Sequence, residues 1–282
     1  MQVVERARGF FDLTRAANAT AAAALTFLGA FVGGGLTDHP VEVTAAVAAT
    51  WLAVGAGNAI NDYFDREIDA VNRPDRPIPR GAVTPRGALV FSGALFAIAV
   101  VLVLALPPLA IAIALVNLVA LVAYTEVFKG TPGLGNAIVA YLVGSTFLFG
   151  GAAVEAVEPT LVLFLLAALS TLSREIIKDV EDLPGDREAG LNTLPIAVGR
   201  TRALWLAAAM LVVAVLASPL PFLEGIFGAP YLALVLPANA VMLWAAAESF
   251  GDPGAGQRRL KYGMFLAVIA FVVGRLAEVG GF

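Results

Sequence analysis

Six aspartates form two clusters that share one spacing, and this spacing is the strongest chemical signal in the sequence. Each cluster reads D-x-x-D-x-x-x-D and follows a long apolar stretch: Asp62, Asp65 and Asp69 in the first, and Asp179, Asp182 and Asp186 in the second. Brought together, six carboxylates repel one another and take up protons unless cations are bound. Oxygen donors without histidine or cysteine favour a hard divalent ion. Mg²⁺ fits best, because it leaves coordination positions for water and substrate phosphate.

Polar and basic residues beside the clusters predict a ligand that carries a diphosphate. Asn58 and Asn61 extend the face of the first cluster into the apolar stretch, since residues three and four apart share a helix face. Mg²⁺ bridges phosphate oxygens, and Arg or Lys side chains neutralise the remaining charge. The basic candidates are Arg73, Arg76, Arg80, Lys129, Arg174 and Lys178. The apolar stretches would take a hydrocarbon tail, so the expected ligand joins a diphosphate head to a long lipid tail.

The two clusters are expected to differ in backbone. The helix that leads into the first cluster is expected to continue through it. In the second cluster, Pro184-Gly185 is expected to end the helix, leaving Asp179 and Asp182 on its last turn and Asp186 in a loop. A merely solvated acidic surface is the alternative, and the repetition of the spacing at matching helix ends argues against it.

The composition predicts an all-α integral membrane protein with one transmembrane domain over residues 1–282. The chain is 59% hydrophobic and 14% charged, against roughly 45–50% and 25% in ordinary soluble domains. A bundle of nine transmembrane helices is expected from apolar stretches of about the length that spans a bilayer. They lie at about 17–36, 41–60, 87–106, 108–128, 134–154, 159–178, 201–218, 228–248 and 262–280.

Basic residues predict the orientation, because Lys and Arg are retained on the cytoplasmic side. With a cytoplasmic N-terminus, every Lys and Arg except Arg275 falls in a cytoplasmic segment. Arg275 is expected to reach the outer surface with its long side chain. Both acidic clusters then face the cytoplasm, so the active site is expected on that side of a multi-pass protein of the cell membrane. The N-terminal segment does not read as a cleaved signal peptide.

Two motifs resemble those of the UbiA superfamily of intramembrane prenyltransferases. NAINDYFDREIDAVNRPDRPIPRG is similar to its first signature, with N-x-x-x-D-x-x-x-D at Asn61, Asp65 and Asp69. REIIKDVEDLPGDREAGLNTLPIAVG is similar to its second, with D-x-x-x-D at Asp182 and Asp186. The expected nine spans also match, so the resemblance covers essentially the whole chain.

The chain departs from the family pattern just before the first apolar stretch. The family often has Arg-Pro-x-Asn there, whereas Arg15-Ala16-Ala17-Asn18 keeps the polar pair without the proline. Both Arg15 and Asn18 are retained as candidate substrate-binding residues. The missing proline bears on the local bend and not on the class of protein.

The resemblance implies a reaction and assigns roles to the motif residues. Mg²⁺ would be held by Asn61 and the six aspartates, and a prenyl diphosphate donor would lose its diphosphate before a hydroxyl attacks the allylic carbon. The implied metal ligands are Asn61, Asp62, Asp65, Asp69, Asp179, Asp182 and Asp186, and the implied catalytic residues are Asp65, Asp69, Asp182 and Asp186. No general base is indicated.

The sequence around the second cluster points to a particular acceptor. With the T-L-P-I run at 193–196, it most resembles archaeal members that add the second chain in ether-lipid synthesis. The implied reaction moves a geranylgeranyl group from geranylgeranyl diphosphate to the hydroxyl of geranylgeranylglyceryl phosphate. A phosphorylated acceptor needs a second basic contact, for which Arg15, Lys129 and Lys178 are candidates. Arg174 and Lys178 lie four residues apart, so they would share a helix face and could contact one phosphate.

Other functions stay open to different degrees. The nearest is prenyl transfer to an aromatic acceptor such as a quinone precursor. A CDP-alcohol phosphotransferase would need a D-G-x-x-A-R motif, which neither cluster has. A cation transporter would carry acids near the bilayer midplane, whereas these lie at helix ends. The expected partners are the prenyl diphosphate donor, the lipid phosphate acceptor and membrane lipids, with no nucleic acid; oligomeric state and chain-length preference are not predicted.

Overall fold

A computed structural model describes residues 2–128, 131–188 and 190–280, and in this part of the chain all regular structure is helical. The all-α prediction is therefore confirmed. The helices are α1 (Gln2–Leu13), α2 (Ala16–Gly33), α3 (Pro40–Phe64), α4 (Arg66–Asn72), α5 (Pro85–Leu104), α6 (Pro108–Ala123), α7 (Leu134–Ala153), α8 (Glu158–Glu181), α9 (Leu183–Glu188), α10 (Leu194–Val198), α11 (Arg200–Ala217), α12 (Leu220–Leu223), α13 (Ala229–Glu248) and α14 (Pro253–Gly280). A π-helical turn, Tyr124–Phe128, follows α6 directly.

Eight candidate membrane spans are long and apolar enough to cross a bilayer: α2, α3, α5, α7, α8, α13, α14 and the segment Arg200–Leu223, which contains α11 and α12. The chain is thus a multi-pass integral membrane protein. The remaining apolar helix, α6, has 16 residues and is continued by the π-helical turn. The helix ends lie close to the predicted ones, except that α14 begins at Pro253 rather than near residue 262. The Asp252 side chain starts it early, accepting a hydrogen bond from the Ala255 N–H at 2.9 Å.

Helices α2 and α7 approach each other so closely that two glycines are required. A Cβ atom on Gly29 would lie 2.2 Å from the carbonyl oxygen of Phe147, and one on Gly150 would lie 1.9 Å from that of Thr26. Small residues let membrane helices pack backbone to backbone in this way. The pair forms the centre of the bundle, because α3 packs on α2 and α7, and α8 packs on α7 and α2.

The contacts between α2 and α7 also show that these helices run in the same direction. Gly33, at the end of α2, lies against Val154, just beyond the end of α7. Their N-terminal ends therefore share the opposite end of the bundle. Because α3 ends beside the start of α2, where Arg15 pairs with Asp62, and α8 ends beside the start of α7, both acidic clusters lie at this end.

Arg275 lies at the other end of the bundle and is held there by a backbone contact. Its Nε donates a hydrogen bond to the carbonyl oxygen of Phe31 at 3.1 Å. That carbonyl belongs to the last turn of α2, where carbonyl groups lack partners within the helix. Arg275 therefore stabilises the end of α2, at the end of the bundle opposite the acidic clusters.

Candidate active site

The two acidic clusters have the same backbone, which corrects the prediction that they differ. In each, a long helix ends just before the middle aspartate and a short helix begins just after it. Asp65 joins α3 to α4 with φ −82° and ψ 2°, and Asp182 joins α8 to α9 with φ −80° and ψ −2°. Pro184 and Gly185 do not end the long helix, since α9 contains both. Proline is tolerated there because N–H groups in a first turn have no partner within the helix.

The hydrogen bonds around these two junctions also match. The N–H of each middle aspartate donates to the carbonyl four residues earlier, at 2.9 Å in both clusters. Its own carbonyl accepts from the N–H of the third aspartate, at 2.8 Å in the first cluster and 3.0 Å in the second. The short helices therefore continue the path of the long ones with only a local bend, and all three aspartates of each cluster stay on one connected helical segment.

Two arginines contact the carboxylates of the first cluster. Arg76 lies between Asp62 and Asp69: its Nη1 is 3.2 Å from Asp62 Oδ1 and makes a shorter contact with Asp69 Oδ2. The Nη2 atom of Arg15 pairs with the same Asp62 oxygen. Asp62 and Asp69 are buried, with 3% and 6% of their surface exposed, so both carboxylates are held in a nearly water-free arrangement that the arginines make tolerable.

Arg15 reaches this position from a strained turn between α1 and α2. Its φ of 47° and ψ of 59° place it in the left-handed region, which is unusual for a residue other than glycine. The carbonyl oxygen of the preceding Thr14 accepts a hydrogen bond from Asn58 Nδ2 at 2.9 Å. Asn58, a predicted substrate ligand, therefore holds the turn that presents Arg15.

The remaining predicted residues near the first cluster are not seen to contact the carboxylates of Asp62 or Asp69 in the described part of the chain. Arg80 pairs with Asp12 of α1, at 2.7 Å between Nη2 and Oδ2, and so ties α1 to the loop that follows α4. Arg73 is exposed and forms no ion pair with any described residue, so it is available to an anionic ligand. Asn61 is half-buried one residue before Asp62, and Asn18 is exposed in the first turn of α2.

Neutral donors contact the second cluster in place of arginines. Asn136, on the first turn of α7, donates from Nδ2 to Asp179 Oδ2 at 2.8 Å. Thr193 donates from Oγ1 to Asp186 Oδ2 at 3.1 Å. Asp182 is exposed at the junction between α8 and α9. Sequence reasoning did not select Asn136; the available signal was an amide side chain at the start of an apolar stretch, where polar residues are costly.

Arg174 and Lys178 share a helix face as predicted, and an acidic side chain lies between them. Arg174 Nη1 is 2.7 Å from Glu175 Oε1, and Lys178 Nζ is 3.7 Å from Glu175 Oε2. The Nη2 atom of Arg174 also donates to Gln257 of α14 at 3.2 Å. Sequence reasoning missed Glu175, because whether its side chain lies between Arg174 and Lys178 depends on the side-chain directions on α8.

The donor chemistry of both clusters fits a hard divalent cation, since every candidate ligand offers oxygen. Among the described residues, however, no three acidic side chains already converge on one point as metal ligands. In the first cluster the reason is visible, because Arg76 lies between the two buried carboxylates. Lys129, another predicted phosphate ligand, lies outside the described residues.

A small, mostly apolar cavity of about 80 Å³ lies below the second cluster, among α2, α7, α8, α11, α13 and α14. Thr171 and Asn239 are among its few polar lining residues. Thr171 lies eight positions before Asp179 on α8, so the helical rise separates the two by about 12 Å.

Long apolar helices, two of which end in paired acidic clusters at the same end of the bundle, define a multi-pass integral membrane protein. The sequence profile of the UbiA prenyltransferase family matches residues 22–269. The chain belongs to this family.

Three similar proteins refine this placement. A protein of Natronomonas pharaonis named digeranylgeranylglyceryl phosphate synthase is 64% identical over 98% of this chain and 100% of its own length. A solved structure described as digeranylgeranylglyceryl phosphate synthase in membranes is 34% identical with a TM-score of 0.84, and covers 96% of this chain and 99% of that one. A UbiA homolog from Archaeoglobus fulgidus, solved with GPP and Mg²⁺, shares the fold with a TM-score of 0.71 and 17% identity over 94% of this chain and 98% of that one.

Proposed function

We propose that this protein transfers a geranylgeranyl group from geranylgeranyl diphosphate to the hydroxyl of geranylgeranylglyceryl phosphate, which forms the second ether bond of archaeal membrane lipids. The observation that carries the proposal is the pair of acidic clusters at one end of the bundle. The proposed acceptor rests on similarity, over 98% of the chain, to a protein named for the product of this reaction.

The reaction breaks one carbon–oxygen bond and forms another. The allylic carbon separates from the diphosphate, the hydroxyl oxygen of the acceptor bonds to that carbon, and the hydroxyl proton is released. Charge develops on the departing diphosphate, so cationic groups arranged in advance around it stabilise the transition state. Arg76, Arg15 and the exposed Arg73 are the side chains of this protein that we assign to the diphosphate. Arg80, Lys129 and Asn18 stay predicted substrate-binding residues of the same site.

We assign Mg²⁺ to Asn61 and the two clusters. The ligands are Asn61, Asp62, Asp65, Asp69, Asp179, Asp182 and Asp186, of which Asp65, Asp69, Asp182 and Asp186 are the proposed catalytic residues. Bound there, Mg²⁺ would supply positive charge to the diphosphate oxygens. Arg174 and Lys178 are assigned to the acceptor phosphate, which would compete with Glu175 for them.

The proposed arrangement in the membrane has nine spans, with the N-terminus and both clusters in the cytoplasm of the cell and the protein in the cell membrane. Support comes from the path of the chain. Helix α5 starts at the cluster end of the bundle, near the loop that carries Arg76, and α7 starts at that end again. Helix α6 with its π-helical turn must therefore return across the bundle. The retention of Lys and Arg on the cytoplasmic side supports the direction.

A reconstitution assay tests the proposed function. Purified protein receives geranylgeranyl diphosphate, Mg²⁺ and geranylgeranylglyceryl phosphate, and the lipid product is identified by mass spectrometry. The expected result is the double ether with release of one diphosphate per product. Absence of this product, in protein that remains folded, would overturn the assignment. Prenylation of a quinone precursor offered in parallel would instead support the aromatic alternative.

A further inference from the structure

Matching positions in the two clusters carry different partners. The third aspartate of each cluster contacts the side chain seven residues further along the chain. In the first cluster that side chain is Arg76, which contacts Asp69; in the second it is Thr193, which donates to Asp186 at 3.1 Å. The backbone is equivalent, so the difference lies in the charge of the partner.

The first aspartate of each cluster shows the same difference. Asp62 pairs with Arg15, which immediately precedes α2, whereas Asp179 accepts from Asn136 in the first turn of α7. Helices α2 and α7 run in the same direction, so these partners arrive from equivalent places. The first cluster is thus contacted by two guanidinium groups. No guanidinium or ammonium group among the described residues forms an ion pair with the carboxylates of the second.

The lysine next to the second cluster in sequence is already paired with another acid. Lys178 precedes Asp179, and its ammonium group lies 3.7 Å from Glu175. Half of its side chain is exposed, so solvent screens its charge further. The carboxylates of the second cluster therefore present more uncompensated negative charge to an incoming cation than those of the first.

We propose that the two clusters acquire divalent cations in a fixed order, because Arg76 acts as an exchangeable counter-ion of the first. The second cluster binds a cation in the free enzyme. The first cluster binds one only when the donor diphosphate offers Arg76 an alternative anion and draws it away from Asp62 and Asp69. This inference rests on the proposed function for the identity of the anion, and on the contacts of this chain for the order.

The position of Arg76 suits such an exchange. It lies in the loop between α4 and α5 rather than on a helix, and its side chain is 17% exposed. If Arg76 left without a replacement, the buried Asp69 would lose its cationic partner and the buried Asp62 would keep only Arg15, which is costly. A cation that enters as Arg76 leaves removes this cost, so metal uptake by the first cluster and diphosphate binding are coupled.

Mn²⁺ is the probe for this order, because it binds carboxylate and water ligands as Mg²⁺ does. Electron paramagnetic resonance also measures directly how many Mn²⁺ ions are bound per chain. The purified protein is titrated with Mn²⁺ alone and then with geranylgeranyl diphosphate but no acceptor. We expect one Mn²⁺ per chain without donor and two with it. Binding of none or of two without donor would overturn the proposal.

Matched variants identify which cluster binds first. Without donor, Asp186→Asn is expected to lose the single Mn²⁺, and Asp69→Asn to keep it; the reverse pattern would overturn the proposed order. Arg76→Gln is expected to raise binding without donor from one Mn²⁺ to two, and Arg76→Lys, which keeps the charge, to leave it at one. Size-exclusion chromatography confirms that each variant is folded, and the aspartate pair tests the order even if Arg76→Gln does not fold.

The titration without donor separates this inference from the proposed function. It uses neither prenyl donor nor acceptor, so a failure to form the ether lipid leaves its outcome readable. Conversely, equal Mn²⁺ binding by both clusters in the free enzyme would overturn the order while the transfer assay still gave product.

Discussion

The two acidic clusters are nearly identical in backbone but differ in the charge of the side chains around them. Asp65 and Asp182 occupy the same bend between a long and a short helix, and their backbone angles agree to within a few degrees. Around them, the first cluster is contacted by guanidinium groups and the second by an amide and a hydroxyl. A repeated backbone therefore does not imply repeated chemistry, because the partners come from other segments.

These partners also connect the clusters to different parts of the molecule. The first depends on the turn after α1 and on the loop that carries Arg76 and Arg80, both of which are partly exposed. The second depends on α7, which packs against α2 at backbone distance. The arginines at the first cluster thus come from connecting segments, whereas one partner of the second, Asn136, comes from the rigid centre of the bundle, where α2 and α7 pack at backbone distance.

The largest expected effect is on activity, when the middle aspartate of each cluster is replaced. These two variants test whether both clusters are equally necessary for prenyl transfer. Asp65→Asn and Asp182→Asn each remove one negative charge at the helix junction, and each is expected to lower kcat/KM by about 10²-fold or more. The measurement is ether-lipid formation at saturating Mg²⁺, with thermal unfolding in detergent as the control for folding. Near-normal turnover in either variant would show that the clusters are not functionally paired.

The next largest effect is on stability, and it tests the close packing of α2 and α7 in the rigid centre of the bundle, which positions Asn136. Gly150→Ala places a Cβ atom against the Thr26 carbonyl and is expected to lower the free energy of unfolding by about 1–3 kcal/mol. Gly93→Ala is the matched control, because a Cβ atom on Gly93 meets nothing within 4 Å. Thermal unfolding in detergent compares the two. Equal stability of both variants would contradict the close approach of α2 and α7.

A smaller effect sharpens the comparison between the two first-turn asparagines. Asn136→Leu removes the donor to Asp179 and is expected to weaken Mn²⁺ binding without donor by about 10–100-fold, as loss of a group that orients a metal ligand does. Asn18→Leu, at the third residue of α2, is expected to leave this affinity unchanged. Similar affinities for the two variants would show that Asn136 does not orient the carboxylate.

The smallest effect concerns the tether of α1. Asp12→Asn breaks the partly exposed ion pair with Arg80 and is expected to lower the free energy of unfolding by less than about 1 kcal/mol. The difference should shrink at high salt, which screens such pairs. Glu158→Gln, at an exposed acid without an ion pair among the described residues, serves as the control. A loss well above this limit would mean that α1 is part of the rigid centre.

Much of the fold could be predicted because it is encoded locally. Apolar stretches of about the length that spans a bilayer predicted the long helices. The bend at Asp182 was not predicted, because Pro184 and Gly185 are read as helix terminators from sequence. Here they lie in the first turn of a new helix, where the missing N–H of proline has no partner to lose.

Of the candidate site, the sequence by itself determined the identity and spacing of the six aspartates, the oxygen-only donor chemistry and the supply of basic residues nearby. The tertiary structure alone decided which side chain meets which carboxylate: Arg76 and Arg15 at the first cluster, Asn136 and Thr193 at the second. The physical reason is the distance along the sequence over which the relevant interactions act. Helical spacing depends on neighbours within a turn or two, whereas the charge around a buried carboxylate depends on segments that only the packing of α2, α3, α7 and α8 brings together.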